Sequence, residues 1–153
     1  MKITLKTVFA ILLISVISVA CSSSDDSNNN SGNTTQDVVN TAQSGNWIIT
    51  YFFDTDSEET NNFTGYVFTF GSNGVLTATN GSTTVTGSWS VTDSNSNDDS
   101  PNDLHFNISF ATPADFQDLT DDWEILTYTS SKIELRDISG GNGGTDLLTF
   151  EKE

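Results

Sequence analysis

The sequence predicts an all-β domain, an eight-stranded antiparallel up-and-down barrel, standing behind an export signal and a polar tether. Three observations predict it. From Gly45 onward, apolar residues alternate with period two in short runs, the mark of half-buried strands. Turn residues separate the runs, as in Gly71-Ser72-Asn73-Gly74 and Asn80-Gly81. Tight turns force antiparallel neighbours, and such strands with one apolar face close most simply into a barrel, a two-sheet sandwich being the competitor.

The chain of 153 residues allows one small domain. Lys2 and Lys6 precede an apolar run from Val8 to Val19, and the small Ala20 precedes Cys21. Residues 1–20 therefore read as a secretory signal peptide, too short for a stable membrane span. Cys21 is the sole cysteine, so the exported domain has no internal disulfide. Residues 21–44 are rich in Ser, Asn and Asp and hold few apolar side chains beyond Val38 and Val39, so they read as a flexible tether. Such a segment reaches roughly 25–30 Å on average.

Residues 45–153 form the domain. Trp47, Ile49, Tyr51 and Phe53 share one face of the first strand, and Tyr66, Phe68 and Phe70 one face of the second. Leu76 and Ala78 point inward on the third; Val85, Gly87, Trp89 and Val91 do so on the fourth. After a polar loop, Leu104, Phe106, Ile108 and Phe110 line the fifth. Thr112-Pro113-Ala114-Asp115 starts a short helix over 113–120, with Thr112 as N-cap and Pro113 at the first helical position, presenting Phe116 and Leu119. The last three strands are Trp123 to Tyr128, Lys132 to Ile138 and Thr145 to Glu151.

Charge restricts the partners. Once Lys2 and Lys6 leave with the signal, Lys132, Arg136 and Lys152 stand against 21 acids, a net charge of −18. Such a surface repels nucleic acid and anionic lipid and favours a soluble monomer. No catalytic constellation is present. The single histidine, His105, falls on an outward position of its strand without partners for a triad or zinc site. The acid pairs Glu58-Glu59, Asp98-Asp99 and Asp121-Asp122 sit where solvated turns are expected. No enzyme activity and no cofactor are therefore expected. Asp93, Asn95, Asn97 and Asp99 mimic the start of a calcium loop, but Asp98 replaces its turn glycine and Leu104 its closing glutamate, so a solvated loop is the expectation.

Three stretches resemble known families. Ser18-Val19-Ala20-Cys21 resembles the lipobox of bacterial lipoproteins, although Ser18 replaces the usual branched aliphatic residue. The resemblance implies cleavage before Cys21 and a lipid anchor on its thiol, so that the membrane is a partner through that anchor. Asp25-Asp26 behind the serine run resembles the export signal of Bacteroidetes-type surface lipoproteins, which implies the outer face of the outer membrane; the periplasmic leaflet is the alternative. Gly45-Asn46-Trp47 resembles the Gly-x-Trp motif of lipocalins and related calycin barrels. Leu119 to Ile125, Lys132 to Asp137 and Leu148 to Lys152 look like the C-terminal half of lipocalin-like lipoproteins. That likeness implies a basic residue packed over the first Trp, for which Arg136 and Lys152 are both candidates. It also implies a small apolar ligand inside the barrel, lined by Trp47, Tyr51, Tyr66, Phe68, Trp89 and Phe106. The competing reading is that the same rings fill the core, leaving a structural or interaction module that works through its acidic loops.

Overall fold

The computed structural model describes residues 34–94, 104–138 and 144–153. The fold starts upstream of the expected boundary, because helix α1 (Thr35–Gln43) occupies the stretch read as the end of the tether. The Thr34 hydroxyl accepts from the Asp37 N–H at 3.2 Å, and the Asp37 carboxylate accepts from the Thr34 N–H at 3.4 Å. This reciprocal cap satisfies two N–H groups that a helix start leaves open. Val38 and Ala42, one turn apart on one face, are fully buried. Two apolar positions cannot hold a helix alone, which is why composition points to tether, but they suffice once a barrel supplies the surface beneath them.

Nine strands follow: β1 (Asn46–Asp54), β2 (Ser57–Glu58), β3 (Val67–Phe70), β4 (Val75–Thr79), β5 (Thr84–Asp93), β6 (Leu104–Ser109), β7 (Asp121–Tyr128), β8 (Lys132–Ile138) and β9 (Thr145–Lys152). All but the two-residue β2 form a closed eight-stranded antiparallel up-and-down barrel, with β1 pairing both β3 and β9. The barrel architecture thus matches the expectation and the sandwich does not. Gly74 and Gly81 carry their turns at φ values of 77° and 87°, a region costly for side chains. At Gly87 an added Cβ would meet the Ser109 carbonyl and lie 2.6 Å from the Phe110 ring, so glycine lets β5 and β6 approach.

The first strand departs from strict alternation. Its register against β9 shifts between Ile49 and Tyr51, so a bulge at Thr50 reverses the inward phase. Trp47 and Ile49 are buried as expected, but Phe52 is then fully buried while Tyr51 lies on the outside at 36% exposure. Tyr51 and Phe53 therefore leave the predicted inner face. A second bulge, between Ile125 and Thr127 on β7, leaves Leu126 exposed.

The β1–β3 seam is short, with only Asn46↔Thr69 and Trp47↔Phe68 in register. Above it the crossover takes over. A 3-10 helix (Thr60–Phe63) follows β2, the Phe52 N–H donates to the Thr60 hydroxyl at 2.9 Å, and the Phe52 carbonyl accepts from the Glu59 N–H at 2.9 Å. Helix α2 (Ala114–Gln117) is shorter than the predicted 113–120, and Pro113 rather than Thr112 is its N-cap, with extended backbone (ψ 178°). Up-and-down order puts α1 at the barrel end where β1 begins. The 3-10 helix and α2 are at the other end, where Phe63 meets Phe116 at 5.3 Å between centroids.

The bulge makes a direct prediction. Phe52→Ala should cost about 3–5 kcal/mol in urea unfolding, as deletion of a buried ring does. Tyr51→Ala should stay within about 1 kcal/mol, as an exposed substitution does. The reverse order would restore strict alternation.

Candidate functional site

The barrel interior is where the sequence places a ligand, and its contents are aromatic. Trp89 stacks on Phe106 at 5.7 Å with ring planes 27° apart. Phe70 sets its edge against both, at 5.2 and 5.3 Å, and reaches Phe150 at 5.4 Å. Phe150 meets Phe68 at 5.4 Å, and Phe68 meets Phe116 and Phe63 at 6.1 and 6.4 Å. Phe63 touches Phe52, and Phe52 meets Trp123 at 6.4 Å. The rings thus form one continuous chain of contacts from one barrel end to the other. Centroid separations of this size are edge or stacking contact, so neighbouring pairs leave no gap for a ligand between them.

The six predicted lining residues separate in space. Trp89, Phe106 and Phe68 belong to the ring chain. Tyr66 joins it at the α2 end, 5.1 Å from Phe116, and stays half-buried. Trp47 is fully buried under α1, donating its indole N–H to the Ala42 carbonyl at 2.8 Å. Tyr51 faces away from the interior. Sequence reasoning missed Phe52, hidden by the Thr50 bulge, and Phe63, a lone apolar residue in the polar run Thr60-Asn61-Asn62-Phe63-Thr64 with no periodicity around it. Every indole N–H has a carbonyl partner: Trp89 reaches Gly71 at 2.9 Å and Trp123 reaches Leu119 at 3.1 Å. Among the described residues no polar or charged side chain is buried.

Of the two basic candidates for the cover of the first Trp, Lys152 takes the position. Its ammonium sits 5.5 Å from the Trp47 ring centroid and donates to the Ser44 hydroxyl at 2.9 Å. That is a cation–π contact joining the last strand, the first strand and the end of α1. Arg136 instead pairs with Glu124 across β7–β8, at 2.6 Å, and Lys132 pairs with Glu134.

The end of the barrel that carries α2 is ringed by acids. Asp54, Glu59 and Asp118 bring carboxylate oxygens within 4.8 Å of one another, as do Asp121, Asp122 and Asp137. Asp137 lies directly opposite Asp146 on β9. Three oxygens would supply half or less of a calcium shell. Burial, and after it this crowding, shifts the protonation equilibria. Burial, then the Asp146 charge, raises Asp54; burial, then Asp54, raises Asp118. Asp121 is pushed up to about 6, first by burial; the Asp122 backbone N–H opposes the shift, and the Asp122 and Asp137 carboxylates add to it. His105 lies outward and half-exposed, its Nδ1 3.1 Å from the Asp122 carbonyl. Of the calcium-like run only Asp93 is described, at the end of β5; Asn95, Asn97 and Asp99 lie outside the described residues, as do Cys21 and residues 1–20.

Comparison with models of known families, with curated proteins and with solved structures finds no match.

The raised acids set a sign for pH dependence. A carboxyl with a higher pKa folded than unfolded holds its proton more tightly in the native state, so its contribution is present below the unfolded value and lost as pH rises through the folded one. For Asp121 that window runs from about 4 to about 6. Thermal melts should show stability falling across it. Asp121→Asn should raise the melting temperature at pH 7 and flatten that slope; a variant that melts lower at pH 7 would contradict the assignment.

Proposed function

We propose that this chain is an exported lipoprotein, anchored through Cys21, whose filled barrel is a non-enzymatic interaction module working from its outer surface. The observation that supports a filled interior is the unbroken chain of ring contacts from Trp89 and Phe106 to Phe63 and Trp123. Both ends carry lids: α1 with Val38 and Ala42 at one, Phe63 and Phe116 at the other. The anchor reading rests on the lipobox-like Ser18-Val19-Ala20-Cys21 behind an apolar run. Among the described residues no helix is long and apolar enough to cross a membrane. The acidic run behind Cys21 favours the outer face of the outer membrane. Without residues 1–20 the net charge is −18, so copies repel one another, which favours a monomer.

The lipocalin-like reading, an apolar ligand within the barrel, keeps one specific support. Lys152 covers Trp47 in the way that resemblance implies. In this view a ligand would have to part ring pairs that now touch.

Two measurements test the proposal. Native mass spectrometry of the chain purified from its own envelope, without added lipid, should give the mass of the acylated chain alone. A noncovalent species of a few hundred daltons, lost on denaturation, would instead establish a ligand-binding barrel. Trp89→Ala should cost about 3–5 kcal/mol in a filled core; a much smaller loss would point to a pocket wall. The anchor has its own variant: Cys21→Ser should abolish acyl labelling and release the chain from membranes, and an unchanged membrane fraction would refute anchoring there.

A further inference from the structure

The large apolar side chains that reach the surface are not scattered. Among the described residues they are Tyr51, Leu126 and Ile138. They lie on β1, β7 and β8, which with β9 make four neighbouring strands of the closed barrel. Two of the three are placed by a departure from regular pairing. The bulge at Thr50 turns Tyr51 and Phe53 outward, and the register shift between Ile125 and Thr127 leaves Leu126 exposed. Bulges re-aim side chains in this way. Register makes a strip of the β1–β9 seam. Phe53 stands opposite Leu147, Tyr51 opposite Thr149 and Ile48 opposite Glu151. Ile48, Phe53 and Leu147 are half-buried and alternate with the buried Trp47, Ile49, Phe52 and Leu148, so they face outward. From Ile48 to Phe53 the strip runs roughly 15 Å.

Acids frame the strip. Glu58 of β2 stands opposite Phe53 at one end, and Glu151 stands opposite Ile48 at the other. Glu134 stands opposite Thr149 on the flank. The bases of this wall are already taken: Lys132 pairs with Glu134, and Arg136 with Glu124. Single exposed apolar side chains are ordinary, but contiguous apolar area rimmed by polar groups marks contact with another protein. Here the rim selects the kind of protein. A strongly acidic chain repels a second copy and anionic surfaces alike. Carboxylates at both ends of an apolar strip are complementary to basic groups at the same spacing with apolar side chains between them. In extended backbone that spacing is about four to five residues.

We infer that the β1–β9 seam docks a segment of another protein that is cationic at both ends and apolar between. Its apolar side chains lie on Tyr51, Phe53 and Leu147, and its basic groups pair with Glu58 and Glu151. The inference rests on the reading of a barrel that works from its outer surface, and it names the class of partner for that surface. The Thr50 bulge then has a use beyond packing: it brings Phe52 into the core and presents Tyr51 and Phe53 to the partner.

The test is biolayer interferometry of the full chain, in nonionic detergent, over an immobilised acetylated peptide Lys-Leu-Phe-Leu-Lys. Two counterparts serve as controls, one with Glu for both lysines and one with Ser for the three apolar residues. The expected result is saturable binding to the first peptide and at least tenfold weaker binding to each counterpart. Tyr51→Ala and Glu58→Gln, both at exposed positions, should each weaken binding at least fivefold with the melting curve retained. Thr86→Ser, exposed on β5, should leave it unchanged. No binding to the lysine peptide, equal binding to either counterpart, or unchanged binding in both seam variants would overturn the inference. A dimer in native mass spectrometry that Tyr51→Ala dissolves would give the seam to a second copy and overturn it as well. Those results leave the filled interior standing, whereas a bound apolar species in the mass spectrum would defeat the filled interior and not this seam.

Discussion

Closure of β1 against β9 is the constraint on which the rest depends. The two strands pair from Trp47↔Lys152 to Phe53↔Leu147, joining the beginning of the barrel to its end. Closure removes the free edges that an open sheet would expose, and it fixes a narrow interior. An interior of that width must be filled by side chains or by a ligand. Here the strands deliver rings, and the rings meet. The Lys152–Trp47 contact lies at the same seam, so one side chain ties the closing strand, the opening strand and α1 together. Helix α1 is thereby part of the fold rather than a spacer.

Much of this architecture was legible because alternation and turn chemistry are local signals. The inward faces of β4, β5 and β6 follow from period two alone, and Leu76, Ala78, Val85, Trp89, Leu104, Phe106 and Ile108 are all buried. What stayed hidden depends on contacts remote in sequence. A bulge at Thr50 is a property of the pairing with β9, and no composition around Ile49-Thr50-Tyr51 announces it, so Tyr51 and Phe52 exchanged faces. Phe63 and α1 share another cause: each presents too few apolar residues to show a period, and each is buried only because the barrel end is there to receive it. The ligand question was open for the same reason. A list of inward aromatics is compatible with a lining or a filling, and the ring-to-ring distances that bear on the choice are set by pairings remote in sequence.

The distribution of charge carries the argument from fold to function. The three basic side chains of the domain are all committed: Lys132 to Glu134, Arg136 to Glu124, Lys152 to Trp47 and Ser44. None lies in the rim where Asp54, Asp118 and Asp121 crowd, and there burial first, then neighbouring carboxylates, raises the pKa values. Acids concentrated at one end and on one wall leave residues 60–92, which build β3, β4 and all of β5 but its last residue Asp93, without a charged side chain. The core does not require that sparing, since outward positions do not pack inside. The sparing is therefore a property of the outer surface. The barrel thus joins an aromatic interior, whose rings touch, to two chemically distinct outer walls, one of hydroxyls on β3 to β5 and one of carboxylates on β7 to β9.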